Sequence, residues 1–203
     1  MKRIIVAILL FPFLFAYTSC VLVDEYYREW DDDDDYRYRF PNTHIGLEAG
    51  VFSAQEKDLD TGYEIGGKFQ KYANEEAYGI ILLSSYRESD TNKYNFKVST
   101  VSFGVGPAIR MYGGGRFIYT IDGGILYNMN TIKLDGVRDD GSTFEYFNDS
   151  TFGYFVDAGG KFMLTRRGII EMNVRYHIND QSTSWHSYKL GGVSVLLGFG
   201  MRF

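Results

Sequence analysis

Apolar residues occupy every second position over the last eleven residues of the chain. These positions are Val193, Val195, Leu197, Phe199, Met201 and Phe203. The positions between them are mostly small or polar, for example Ser194, Gly198 and Arg202. Successive side chains of a β-strand point to opposite faces, so this segment has one apolar face and one mixed face. Membrane-spanning barrel strands have this pattern, because lipid contacts one face and the barrel interior contacts the other.

The same alternation recurs along the chain and predicts an all-β fold. We expect an eight-stranded, antiparallel, up-and-down transmembrane β-barrel over residues 43–203. The predicted strands span about 44–53, 62–72, 77–88, 97–112, 116–129, 151–164, 168–179 and 189–203. Two of them are atypical. Ile81 and Leu83 make the third strand apolar on both faces, and Pro107 predicts a bulge or break in the fourth.

The predicted connections alternate in length. Those at 73–76, 113–115 and 165–167 are short, whereas those at 53–60, 88–94, 130–150 and 180–188 are longer. Outer-membrane barrels have short periplasmic turns and longer extracellular loops. The pattern therefore predicts that both ends of the barrel segment lie on the periplasmic side.

Two segments precede the predicted barrel. Residues 1–20 have the proportions of a secretory signal peptide, with a basic start, an apolar run and a short polar exit. Cys20, the single cysteine, resembles the lipidated cysteine of bacterial lipoproteins, and ordinary cleavage nearby is the alternative. Residues 21–42 contain an acidic block, Asp31–Asp35, whose self-repulsion predicts a flexible periplasmic tether.

Ten charged residues fall on the predicted inward face of the strands, and their signs are balanced. They are Glu48, Glu64, Lys68, Arg110, Asp122, Asp157, Lys161, Glu171, Arg175 and Arg202. Charges withdrawn from water are tolerated when they are paired and hydrogen-bonded. The balance predicts an ion-pair network that fills the lumen, with a gated path for protons or ions as the alternative.

The closing part of the chain resembles a known group of proteins. Residues 159–168 read GGKFMLTRRG, residues 171–177 read EMNVRYH, and the last strand ends on Phe203. This portion is similar to the small bacterial outer-membrane β-barrel superfamily, which includes OmpA-type and opacity-type eight-stranded barrels. The resemblance implies a location in the outer membrane of a Gram-negative bacterium, with lipid and lipopolysaccharide as neighbours. It also implies recognition by the barrel-assembly machinery through Val195, Leu197, Phe199, Met201 and Phe203.

One segment suggests an enzyme. Residues 175–180, RYHIND, resemble the surroundings of the active-site histidine in outer-membrane lipid A deacylases. The resemblance implies His177 as the base for a serine nucleophile two residues later, but that position holds Asn179. Ser182 and Ser184 follow in a predicted loop. His177 is also predicted to face inward, which favours a histidine that completes the polar lumen.

The longest predicted loop, 130–150, is rich in acidic and aromatic residues. It contains Asp135, Asp139, Asp140, Phe144, Glu145, Tyr146, Phe147 and Asp149. Exposed loops on rigid scaffolds often carry recognition. This loop could bind an extracellular ligand such as a host protein, a cation or lipopolysaccharide, or it could be a solvated loop without a partner.

Other chemistries find little support in the sequence. A net charge of −5 gives no electrostatic case for nucleic acid. One cysteine and three scattered histidines form no metal-ligand cluster, and no cofactor is expected. Three functional hypotheses remain. The first is a non-enzymatic envelope-structural or surface-interaction protein, the second a lipid A deacylase-like hydrolase centred on His177, and the third a narrow channel for a small or apolar solute.

Overall fold

The computed structural model describes residues 42–56, 59–73, 77–91, 96–114, 116–137, 143–165, 167–182 and 187–203. Eight strands close into one antiparallel barrel, which confirms the predicted fold class. The barrel strands are β1 (Thr43–Ala54), β2 (Gly62–Tyr72), β3 (Tyr78–Thr91), β4 (Phe96–Gly114), β5 (Phe117–Val137), β6 (Thr143–Met163), β7 (Gly168–Ile178) and β10 (Gly192–Arg202). Two short strands, β8 (Asp180–Ser182) and β9 (Ser187–Lys189), form a separate hairpin. The described ranges contain no helix that is long and apolar enough to span a membrane.

The first and last strands close the barrel. β1 pairs with β10 from His44↔Arg202 to Ala54↔Gly192. Thr43 and Phe203 add two backbone hydrogen bonds beyond this ladder, at 3.2 and 3.0 Å. Closure matters because a sheet edge in hydrocarbon would leave backbone N–H and C=O groups without partners.

The outer surface of the barrel is an apolar belt. Leu197 and Phe199 on β10 are 62% and 68% exposed, and the other strands present similar residues such as Val51 and Ile125. Aromatic pairs lie near both ends of the belt. They are Tyr63–Tyr86 and Tyr127–Phe152 towards one end and Phe117–Phe162 towards the other. An exposed belt of this kind suits a lipid environment, and rings at both boundaries are typical of transmembrane barrels.

The two ends of the barrel differ, but less by connection length than predicted, because the strands extend into the predicted loops: only 92–95 join β3 to β4, and only 138–142 join β5 to β6. At the end where Thr43 and Phe203 pair, β2–β3, β4–β5 and β6–β7 are joined by short turns. We call this the periplasmic end, following the asymmetry of outer-membrane barrels. The opposite, extracellular end carries the β5–β6 hairpin and the β8–β9 hairpin.

The largest correction concerns residues 130–150, which the sequence predicted to be a loop. β5 and β6 each contain 21 residues, and their ladder continues to Val137↔Thr143, with a register shift after Leu134. A tilted strand needs only about 9–11 residues to cross a bilayer. The hairpin therefore extends well beyond the membrane. The sequence hid this extension because a strand in water needs no lipid-facing apolar stripe.

Two smaller corrections concern β4 and β10. Pro107 lies inside an unbroken β4, where pairing with β5 is interrupted between Val105↔Ile125 and Ala108↔Asp122. The register is the same on both sides of this gap, so no bulge forms there; the shift in that ladder lies between Tyr112 and Gly114. The last barrel strand begins at Gly192 rather than near residue 189, because Lys189 belongs to β9.

The apolar inward residues of β3 help to form a core inside the barrel. Ile81 and Leu83 are buried with Tyr72, Ala108, Leu126 and Phe155. These residues come from β2 to β6, so this side of the lumen is apolar. The two-sided hydrophobicity of the third strand is explained by this core, which packs beside the charged groups described next.

Candidate functional site

The ten charged side chains predicted to face inward are all buried inside the barrel. Glu64 and Arg175 have no exposed surface, and Arg202, at 8%, has the most. Arg87 and His44 are buried in the same interior, and so is His177, which was predicted to face inward. The lumen is therefore the place where the chain concentrates its titratable chemistry.

Arg175 is the centre of the interior network. Its guanidinium contacts three carboxylates, those of Glu48, Glu64 and Asp157. The distance from Nη1 to Glu64 Oε1 is 2.8 Å, and that from Nη2 to Asp157 Oδ2 is 2.6 Å. Asp157 and Arg175 are direct partners across the β6–β7 ladder, which places both side chains at one level. Glu48 and Glu64 reach the guanidinium from β1 and β2.

Lys68 links the central network to the groups below it. Its Nζ lies 3.0 Å from Glu171 Oε2 and 3.6 Å from Glu48 Oε2. Lys161 lies 4.0 Å from Glu171 and donates to Gln70. Gln70 in turn donates to Asp122 Oδ2 at 2.5 Å. Opposite charges thus alternate through the lumen.

Two arginines lie towards the periplasmic end. The Arg110 guanidinium lies 4.4 Å from the centre of the Tyr72 ring, a cation–π distance. Arg202 Nη1 lies 2.7 Å from Met163 Sδ. Met163 packs with Ile118 and Ile169 in a small apolar cluster. The charged interior is thus bordered by apolar side chains at this end.

The extracellular half of the lumen is polar but mostly uncharged. Thr100, Asn130, Thr151 and Asn179 form a closed set of side-chain hydrogen bonds between 2.7 and 3.2 Å. Above them, Val98 and Ile132 pack against Leu190 and Leu59. Leu59 follows β1, and Leu190 precedes β10, so they lie across the mouth from β4 and β5. Apolar side chains therefore cover the lumen at this end.

Arg87 is the interior charge that the sequence analysis missed. It is 2% exposed and donates to Ser102 and Asn128. The signal was present in the alternation of β3, because Arg87 shares the face of Ile81 and Leu83 rather than that of Tyr86. The predicted strand ended at 88, and its apolar inward face drew attention away from this residue.

His177 takes part in the polar network of the barrel interior. The ring is fully buried, and its Nε2 lies 2.9 Å from Glu64 Oε2. Among the described residues no serine hydroxyl bonds to this ring; Ser194 donates to Glu64 instead. Asn179, at the nucleophile position of the deacylase motif, bonds to Asn130 and Thr151. A lipid substrate would have to enter the barrel to reach His177.

Several predicted features lie outside the described residues. They are the signal peptide and tether at 1–41, including Cys20, and also Asp139, Asp140 and Ser184. The described part of the chain contains no cluster of three or more His, Cys, Asp or Glu residues arranged to hold a metal ion.

Comparison with known proteins supports the fold. No protein-family model and no curated protein matches the chain. Among solved structures, the chain is similar to the outer membrane protein OprG from Pseudomonas aeruginosa, with a TM-score of 0.62 and 14% identity over 81% of this chain and 97% of that one. Neisserial surface protein A gives a TM-score of 0.58 and 11% identity over 80% and 97%. Ail, the attachment invasion locus protein of Yersinia pestis, gives 0.54 and 13% over 81% and 99%.

These neighbours are small outer-membrane β-barrels, so the resemblance expected from the sequence is confirmed at the level of the fold. The apolar belt and the closed backbone ladder independently indicate a transmembrane barrel, because both are required of a sheet in lipid. The predicted outer-membrane location agrees with both.

Proposed function

We propose that this protein is a non-enzymatic outer-membrane barrel that acts at the cell surface through its β5–β6 hairpin. One observation carries the proposal. Pairing of β6 with β7 ends at Tyr154↔Ile178, whereas pairing of β6 with β5 continues to Thr143. Within the described ranges, the stretch 143–153 of β6 therefore has a strand partner on one side only.

An unpaired strand edge is a binding feature. It presents a row of backbone N–H and C=O groups that can accept a further strand. Proteins that bind peptides by strand addition gain affinity from these backbone bonds. The part of this edge at 143–150 lies beyond the Tyr127–Phe152 pair at the boundary of the apolar belt, so a partner in the extracellular medium can reach it.

The charge of this edge favours a particular partner. The segment contains Glu145 and Asp149 and no Lys or Arg, and Asp180 begins the neighbouring β8. A second copy of the same edge would bring acidic residues together, which is unfavourable across strands. We therefore infer a basic, extended segment of another protein as the partner. The names of two structural neighbours, a surface protein and an attachment invasion locus protein, describe roles of this general kind for those proteins.

The test uses the full-length barrel in lipid nanodiscs and a synthetic peptide of alternating Lys and Val. Hydrogen–deuterium exchange should show new protection of the 143–153 amides when this peptide is added. A control peptide of the same sequence with every backbone nitrogen methylated has the charge but no N–H group to donate to a ladder. In a second control, a two-residue Asn-Gly turn replaces residues 131–148, so that the ladder partners Asn130 and Asp149 flank the turn. Protection that also occurs with the N-methylated peptide, or binding that survives in the shortened barrel, would reject the proposal.

The other two hypotheses give distinct results in direct assays. Lipid A from cells with and without the protein should have the same acylation by mass spectrometry, because His177 faces away from lipid. Purified barrels in planar bilayers should show no discrete conductance steps, because apolar side chains border both ends of the lumen. Changed acylation of lipid A would favour the hydrolase over the proposed role. Regular conductance steps would favour the channel.

A further inference from the structure

Arg87 and Glu64 are direct partners across the β2–β3 ladder, and both side chains are buried inside the barrel. Opposite charges in this arrangement would ordinarily form an ion pair. Here, however, Arg175 Nη1 lies 2.8 Å from Glu64 Oε1, and His177 Nε2 lies 2.9 Å from Oε2. Ser194 also donates to Oε2. Both carboxylate oxygens of Glu64 are therefore occupied by groups other than Arg87.

The Arg87 guanidinium is left without a counter-charge in contact. In the described part of the chain no carboxylate lies within 4.0 Å of it, although the side chain is 2% exposed. Nη2 donates to Ser102 Oγ at 3.1 Å and Asn128 Oδ1 at 3.4 Å, and the guanidinium carbon lies 5.2 Å from the Phe52 ring centre. These groups are neutral. A buried guanidinium cannot lose its charge in a protein, and the charge of Glu64, which acts on it at longer range, is shared with Arg175, so an anion in contact is still lacking.

The same cluster has more hydrogen-bond donors than acceptors. Nε and Nη1 of Arg87 have no hydrogen-bond partner, and neither does Nδ2 of Asn128. Arg87 and Asn128 contact each other directly, so these unused N–H groups belong to one cluster. Unsatisfied buried donors are rare and costly, which indicates an acceptor bound between them.

We propose that the extracellular half of the lumen binds one small monovalent anion, of the halide type, against Arg87 and Asn128. One negative charge balances the guanidinium, and a spherical acceptor suits N–H donors that approach from different side chains. The hydrogen-bonded layer of Thr100 and Asn130 and the apolar cover of Leu59 and Leu190 lie on its extracellular side. The anion is therefore a buried structural component and not an ion in transit.

The direct test is crystallography of the detergent-purified full chain with bromide as the probe. We expect an anomalous difference peak in contact with Arg87 Nε or Nη1 and with Asn128 Nδ2. Density for water only at this position would overturn the proposal. This experiment needs no variant, so it does not depend on the folding of a mutant.

A second test measures stability in solution. Chloride is exchanged for gluconate, which is too large for a buried site, at constant ionic strength. A ligand that binds only the folded state raises the Tm as its concentration increases. We expect a rising Tm for the wild type and for Arg116→Met, which removes an exposed arginine from the β4–β5 turn. Arg87→Met should show no chloride dependence, and equal dependence in that variant would contradict the site.

Asn128→Asp provides a variant that should still fold. The new carboxylate lies beside Arg87 and can take the place of the anion. We expect this barrel to lose its chloride dependence and the bromide peak while keeping the gluconate Tm at or above that of the wild type. A bromide peak that persists in Asn128→Asp would contradict the proposal, because it would show that the ion does not bind to compensate the charge of Arg87.

Discussion

Asp157 and Arg175 stand opposite each other in the β6–β7 ladder, and their side chains meet inside the barrel at 2.6 Å. A neighbouring pair, Lys161 and Glu171, repeats this arrangement in the same ladder with a longer distance of 4.0 Å. The β6–β7 ladder thus supplies both signs of charge to the lumen. Arg175 also forms ion pairs with Glu48 of β1 and Glu64 of β2, and these contacts link strands that are distant in the sequence.

Replacing Arg175 by Leu should destabilise the barrel. The change leaves Glu48, Glu64 and Asp157 buried without their shared cation, and breaking a buried ion pair from one side costs about 3–5 kcal/mol. The measurement is the temperature at which the unboiled, fast-migrating form disappears on a gel. Arg116→Leu, at an exposed turn position, is the matched control and should melt like the wild type. An unchanged melting temperature for Arg175→Leu would show that the network does not stabilise the fold.

Adding a methyl group at Gly50 should weaken the seam between β1 and β10. A Cβ atom there would lie 1.9 Å from the backbone oxygen of Val195, so a strand would have to move. We expect Gly50→Ala to lose roughly 1–3 kcal/mol, the usual range for overpacking. Gly160→Ala is the control, because a Cβ atom at Gly160 meets no atom within 4 Å. Equal melting temperatures for the two variants would mean that the seam adjusts without cost.

A charge on the lipid face should be costly in the middle of β10. Leu197 is 62% exposed on the apolar belt, whereas its neighbour Leu196 is buried in the lumen. Leu197→Arg should cost about 2–4 kcal/mol, as charged residues do near the midplane of transmembrane barrels. Leu197→Phe keeps the apolar surface and should fold normally in lipid vesicles. Similar unfolding free energies for both variants in urea would place this face outside the hydrocarbon.

Removing Phe203 should reduce assembly without reducing secretion. Two backbone hydrogen bonds join Phe203 to Thr43 at the closing seam, and the aromatic side chain belongs to the predicted assembly signal. We expect a severalfold fall in outer-membrane level, measured by fractionation, with export to the periplasm unchanged. Phe203→Tyr keeps both the backbone bonds and the ring and serves as the control. Normal membrane levels of the shortened chain would leave the assembly signal unsupported.

The sequence predicted the strands where the bilayer enforces alternation. Positions such as Val195 and Leu197 must face lipid. This requirement produces an apolar residue at every second position, a pattern that is visible in the sequence alone. The prediction of a loop at 130–150 was wrong, because β5 and β6 continue into water there. There the backbone ladder continues without a lipid-facing apolar stripe, and acidic residues such as Asp135 and Asp149 resemble those of a loop.

The interior shows a similar division. Alternation was enough to place Glu48, Lys68 and Arg175 on the inward face. It could not show which acid meets which base, because those pairs depend on the stagger between strands that are distant in sequence. For example, the sequence does not show that Glu64 bonds to Arg175 and His177, which lie more than a hundred positions away, and not to its ladder partner Arg87.

The cover formed by Leu59 and Leu190 over Val98 and Ile132 has a consequence for the cell. If the lumen is closed in this way, as we propose, water-soluble solutes have no route through the barrel, however many copies the membrane contains. Such a protein can be produced in very high copy number without weakening the permeability barrier. Under the proposed function, the abundance of the protein would depend on the role of the exterior hairpin and not on a cost in membrane permeability.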